Sequence, residues 1–133
     1  MYPPDHGVGA EQAGVAPGVL QVEQAEGGAI VNICSVSATR PSPGTAAYSA
    51  AKAGLLNLTR SLAVEWAPKV RVNAVTAGLI LTEQAELHYG DAQQQAQVAA
   101  TVPLGRLAEP DDIGDTCLYL ASPLARYVSG ADL

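Results

Sequence analysis

Tyr48 and Lys52 stand four residues apart in the segment Tyr48-Ser49-Ala50-Ala51-Lys52, with Ser35 upstream at the end of an apolar run. On a helix, positions i and i+4 share one face, one turn and roughly 6 Å apart along the axis. A phenol and an ammonium held in this way form a proton-transfer pair. A free phenol titrates near ~10, so proton exchange near neutrality needs its ionised form favoured by roughly 3–4 kcal/mol. A cation within ~4–6 Å supplies much of that. Hydride transfer to a carbonyl leaves an alkoxide that needs a proton, and the reverse reaction needs a base. The pair therefore suits an oxidoreductase. Taken alone, a Tyr and a Lys at this spacing are more often a packed aromatic and a solvated charge, so the surrounding elements decide.

Ala29-Ile30-Val31-Asn32-Ile33-Cys34 is a nearly continuous apolar, β-branched run after a glycine pair, the pattern of a strand buried on both faces in a parallel sheet. Ser35 to Gly44, with Pro41, Pro43 and Gly44, reads as a loop. Thr45 to Ala67 reads as one long helix, with Leu55, Leu58, Leu62 and Trp66 at helical spacing and Pro68 as its stop. Val70 to Val75 is a second strand, ending in a Thr76-Ala77-Gly78 turn. Leu79 to Val102 is a more polar, helical excursion, and Pro103-Leu104-Gly105-Arg106 is a turn. Pro110, at a first helical position with Asp111 and Asp112 in the first turn, opens another helix. Ile113, Cys117, Leu120 and Ala121 form its apolar face, and Ser122-Pro123 closes it. Gly130 to Leu133 has the look of a further strand beginning.

Strand, helix, strand, excursion and helix in alternation imply α/β architecture with a parallel sheet and right-handed crossovers. Residues 1–18, rich in Gly and Pro, read as irregular or disordered, and Val19 to Glu26 as the last turns of a helix ended by Gly27-Gly28. Two regions follow: an irregular N-terminal segment over 1–26 and a catalytic region over 27–133.

A net charge of −6 without any basic run argues against nucleic acid or an anionic membrane as partner. No apolar run approaches the ~20 residues of a membrane span, and the start of the chain lacks the pattern of a secretory leader. Cys34 and Cys117 have no metal-ligand companions, so no metal is expected. They read as buried thiols in a reducing compartment, and the expected location is cytoplasmic. His6 and His88 look incidental, and no serine sits in a G-x-S-x-G elbow.

The blocks around the pair resemble the short-chain dehydrogenase/reductase family. Asn32-Ile33-Cys34-Ser35 and Tyr48-Ser49-Ala50-Ala51-Lys52 are similar to its active-site core. Arg71 to Thr82 (RVNAVTAGLILT) resembles its R-V-N-x-V-x-P-G-x-I-x-T segment. Pro103-Leu104-Gly105-Arg106, Glu109-Pro110-Asp111-Asp112-Ile113 and Tyr119-Leu120-Ala121-Ser122 resemble its C-terminal stretch. The order and spacing hold over residues 27 to 133. Ala77 stands where the family has Pro, and Cys34 where Ser is frequent. The Gly-rich T-G-x-x-x-G-x-G cofactor loop, the N-A-G motif and the catalytic Asn are not found in residues 1–26. The resemblance implies a partial Rossmann-type doubly wound parallel sheet, without its cofactor-loop half or last strand.

By that resemblance Ser35, Tyr48 and Lys52 are catalytic. Tyr48, Lys52, Gly78, Ile80 and Thr82 contact NAD or NADP, and the substrate is a small carbonyl or alcohol. Thr82 has an equal claim as a cap for the segment after it, and Asn73 is expected to hold strand or turn geometry. The helix over 45–67 resembles the one that builds the family's oligomers. Two hypotheses follow: an NAD(P)-dependent oxidoreductase, or a non-catalytic fragment that only associates. The second expects the strand at Ala29 to Cys34 to lack a neighbour on one side and to expose an apolar edge.

Overall fold

The computed structural model describes residues 19–24 and 27–133. The irregular character expected of residues 1–18 lies outside the described residues. The elements in order are β1 (Val19–Gln24), β2 (Gly27–Ser35), a 3-10 turn (Val36–Ala38), α1 (Ala46–Glu65) and β3 (Val70–Ala77), followed by α2 (Ala85–Tyr89), α3 (Ala92–Ala100), α4 (Pro110–Ala121) and a 3-10 turn (Pro123–Ala125).

The sheet runs β1-β2-β3 and is mixed. β2 and β3 are parallel, with Gly28 opposite Val70 and Ser35 opposite Ala77. β1 lies antiparallel to β2, pairing Val19 with Asn32 and Gln24 with Gly27. Two sequence expectations are thereby corrected. Val19 to Glu26 is not a helix end: Val19–Gln24 is a strand. Leu20-Gln21-Val22-Glu23 within it alternates with the period of a strand, and six residues are too few for helical periodicity to compete with the ladder that β2 offers. Nor does β2 lack a neighbour, because β1 fills that side and makes β2 central.

Gly27 is required by close approach. A Cβ built there would lie 2.3 Å from the Lys69 carbonyl oxygen, beside the bond by which Gly28 N donates to that oxygen at 3.0 Å. Gly27→Ala must push the β3 entry away from β2. It is expected to cost about 1–3 kcal/mol, read as a lowered urea midpoint.

The chain's end continues the sheet beyond β3. Gly130 N donates to Val72 O at 2.7 Å, Ala74 N to Ala131 O at 2.9 Å and Thr76 N to Leu133 O at 2.7 Å. Asp132 bridges Ala74 in parallel. Gly130 to Leu133 does behave as a strand beginning. β3 has four consecutive buried residues, Val72 to Val75, as a strand covered on both faces must.

α1 covers one face of the sheet and α4 the other. On the α1 side, Leu56 of the helix packs with Cys34 and Ala74 of the sheet, flanked by Leu55 and Ala38. Against α4, Val31 and Val75 meet Cys117, Leu120 and Ala125. The inward stripe of α1 is Leu56, Thr59 and Ala63, while Leu58 stands about half exposed. The sequence expectation that Leu58 shares the packed face is corrected by a rotation of about one residue. Thr59 supplies a polar contact there: it accepts from Asn32 Nδ2 at 2.9 Å and donates to Leu55 O at 2.9 Å.

α4 begins as its sequence implies. Pro110 follows Glu109, and the Asp112 carboxylate returns to the Glu109 N–H at 2.7 Å. Asp112 also takes both Arg106 guanidinium nitrogens, at 2.6 and 2.8 Å. Those guanidinium bonds, and then the Glu109 N–H, hold its carboxyl well below the usual range. A depressed folded value stabilises above the unfolded carboxylate value of ~3.9, and the contribution drains away as pH falls below it through the folded value. Both side chains are largely exposed, so the effect is small. The urea-midpoint gap between wild type and Asp112→Asn is therefore expected to be full above about pH 5 and to close in stronger acid.

Candidate active site

Ser35 is the last residue of β2, level with Ala77 at the end of β3, so it sits where parallel strands present their carboxyl ends. Its backbone is extended, and its Oγ accepts the Ser37 N–H at 3.2 Å, turning the chain into the 3-10 turn Val36–Ala38. Tyr48 lies in the first turn of α1 with its side chain about half exposed. Lys52, one turn on, is partly buried. Its Nζ donates to the Ile33 carbonyl at 2.7 Å and lies 5.7 Å from the centroid of the Tyr48 ring.

The Ile33 bond ties α1 to β2 two residues before Ser35. It also fixes the ammonium on the Tyr48 side of the helix while using one of its three protons. The helix thus delivers Tyr48 and Lys52 together, and the strand delivers Ser35, to one end of the sheet. An ammonium beside a phenol, with a hydroxyl on the adjoining strand end, is equipped to pass a proton to or from an oxygen. Backbone acceptors are anonymous in a sequence, and the part played by the Ile33 carbonyl was not foreseen.

Gly78, just after β3, is exposed, and a Cβ there would meet nothing within 4 Å. Ile80 forms a parallel bridge with Ala108, made by Leu81 N to Ala108 O at 2.7 Å and Ala108 N to Leu79 O at 2.9 Å. Ile80's own N–H and C=O take no part in that bridge and point the other way. Thr82 is exposed, and its Oγ1 accepts the Gln84 N–H at 3.3 Å, so it orders the turn before α2. A cleft of about 250 Å³ lies beside this segment, lined by Gly78, Leu79, Val102, Leu104, Arg106, Ala108 and Asp112. Neither Ser35, Tyr48 nor Lys52 lines it.

Arg71 and Asn73, prominent in the motif, work for the scaffold. Arg71 Nη1 donates to Leu120 O at 2.7 Å, in the last turn of α4, where carbonyls have no partner within the helix. Asn73 is fully buried, donating to Val128 O at 2.9 Å and accepting Ala131 N–H at 3.0 Å. The expectation that Asn73 holds geometry agrees with these bonds. Cys34, next to Ser35, is buried, and burial first and Asp132 second push its thiol up. It is not poised as a nucleophile. Among the described residues, no group of three or more His, Cys, Asp or Glu is placed to hold a metal. No described helix is long and apolar enough to cross a membrane.

The profile of the family described as enoyl-(acyl carrier protein) reductase, a branch of the short-chain dehydrogenases, matches residues 14–133. The chain belongs to the short-chain dehydrogenase/reductase family. It is 42% identical over 112 residues to L-rhamnose 1-dehydrogenase (NAD(P)(+)) of Azotobacter vinelandii, covering 84% of this chain and 44% of that protein. The ligand-free aldohexose dehydrogenase of Thermoplasma acidophilum superposes with a TM-score of 0.76 at 30% identity, over 82% of this chain and 46% of that one. The NADPH-bound short-chain oxidoreductase of Pseudomonas aeruginosa PAO1 gives 0.71 at 43% identity, over 79% and 43%. The chain therefore spans less than half the length of these relatives, and its fold is a partial Rossmann-type α/β domain.

Proposed function

We propose that this chain carries the proton-handling side of an NAD(P)-dependent oxidoreductase, acting on a small carbonyl or secondary alcohol. The observation that carries the reading is the Lys52 ammonium, fixed on the Ile33 carbonyl at 2.7 Å and held beside the Tyr48 ring at 5.7 Å, at the strand end that bears Ser35. The residues fit the nicotinamide end of the cofactor. Lys52 keeps two protons for ribose hydroxyls, Gly78 offers open ground, and the outward N–H and C=O of Ile80 suit a carboxamide.

A bound nicotinamide would give or accept the hydride, and the remaining tasks fall to this chain. In reduction the Tyr48 hydroxyl donates its proton to the substrate oxygen; in oxidation it takes that proton back. The Lys52 charge favours the phenolate left after donation. Ser35 Oγ donates a hydrogen bond to the same substrate oxygen as charge develops there. Thr82 stands at the rim of the nicotinamide side. Two buried thiols and the acidic balance suit a cytoplasmic setting.

The second reading is association without catalysis. Its support is the pair of exposed apolar residues Leu58 and Val64 on α1. A homo-oligomer through that helix is part of both readings. Titrating the purified chain with NADPH and NADH, followed by nicotinamide fluorescence, separates them. Saturable binding weakened about tenfold or more by Lys52→Met supports the enzyme. No binding of either cofactor overturns independent catalysis and leaves the associating subunit.

A further inference from the structure

Between Ser35 and Tyr48 the chain carries Ser37, Ser42, Thr45 and Ser49, and their hydroxyls form one connected series. Ser37 Oγ donates to Ser42 Oγ at 3.4 Å, Ser42 Oγ and Thr45 Oγ1 are 2.7 Å apart, and Thr45 Oγ1 and Ser49 Oγ are 3.5 Å apart. The two outer links are long and weak, and the middle one is short and strong. Each hydroxyl has one proton, which fixes the direction. Thr45 Oγ1 donates to the Ser42 carbonyl at 3.1 Å, so in the short link it accepts from Ser42. Ser42, having given its proton away, accepts from Ser37. At the strand end the series joins Ser35, whose Oγ takes the Ser37 N–H. At the helix end it reaches Ser49, the residue after Tyr48.

Two features set the central pair apart from ordinary loop polarity. Thr45 is the N-cap of α1, yet its hydroxyl makes no capping bond to the helix N–H groups. A favourable cap is forgone, and the hydroxyl serves the loop instead. Ser42 stands between Pro41 and Pro43, which restrict the backbone on both sides, so its hydroxyl is presented with little freedom left to lose.

We propose that Ser42 and Thr45 are a positioning pair, which sets the end of β2 bearing Ser35 against the first turn of α1 bearing Tyr48. This rests on the oxidoreductase reading for its purpose, though not for its geometry. The test uses the full chain, isotope-labelled, with NMR resonances of the Ser35 amide and the Tyr48 ring as reporters. Ser42→Ala is expected to shift both reporters together, although seven and six residues separate it from them, without lowering the unfolding midpoint. Thr45→Val does the same, and Thr45→Ser restores the wild-type spectrum. In oxidation of L-rhamnose with NAD+ or NADP+, the sugar for which the Azotobacter relative is named, Ser42→Ala lowers kcat about tenfold with KM within about twofold.

Shifts confined to residues 41–46 overturn the proposal. So does a Thr45→Ser variant that behaves like Thr45→Val, or a lowered midpoint that accounts for every change. The spectroscopic arm needs no turnover. If the reporters move together while Tyr48→Phe keeps full activity, the positioning stands and the functional reading fails.

Discussion

Tyr48→Phe is expected to lower NAD(P)H-linked turnover by about 10²–10⁴-fold, the range that general acid–base catalysis contributes. The ring stays and one oxygen leaves. No hydrogen bond of the fold is lost through that oxygen, the side chain is about half exposed, and the Lys52–Ile33 bond beneath it remains. Surface changes of this kind fall within about ±0.5 kcal/mol, so the unfolding midpoint should hold. Steady-state rates from nicotinamide absorbance, with a thermal melt on the same preparation, check both halves. Undiminished turnover would remove Tyr48 from the reaction.

Asn73→Ala is expected to destabilise the fold by about 1–3 kcal/mol, because the buried amide loses its bonds to two part-buried backbone groups at once, leaving the Val128 carbonyl with only the longer Arg71 bond at 3.4 Å. The Val128 carbonyl and the Ala131 N–H both end on this fully buried amide. Asn73→Asp should be worse than Asn73→Ala: a carboxylate accepts from Ala131 but cannot donate to Val128, and it would be ionised where water does not reach. Urea titrations of the two variants give the order. An Asn73→Ala midpoint equal to wild type would mean that the amide's bonds to Val128 and Ala131 contribute nothing to stability.

The sequence was most legible where a local rule acts alone. Pro110 with its following acids announced α4, Pro68 stopped α1, and the β-branched run before Ser35 named β2. The Tyr48–Lys52 pairing was readable because it depends only on helical spacing. β1 was not, since six residues acquire an identity only from the ladder they join, here the one that β2 offers two positions further along the chain. The inward stripe of α1 was misjudged by one position because its small residues, Thr59 and Ala63, carry little hydropathy and still pack fully. The anchors of Lys52, Arg71 and Asn73 all end on backbone carbonyls of distant residues, which no side-chain pattern marks.

The placement of β1 has a consequence for the order in which chain entropy is surrendered. The β1–β2 ladder is closed by two residues, a pairing of the kind that forms in about 1–10 μs. The β2–β3 ladder joins Asn32 to Ala74 and must wait for the whole of α1 to intervene, at a closure cost that grows with the logarithm of the loop. The β1 side of β2 can therefore pair at a lower entropic cost than the parallel side. The strand that ends in Ser35 can be held extended while α1 brings Tyr48 and Lys52 down onto it.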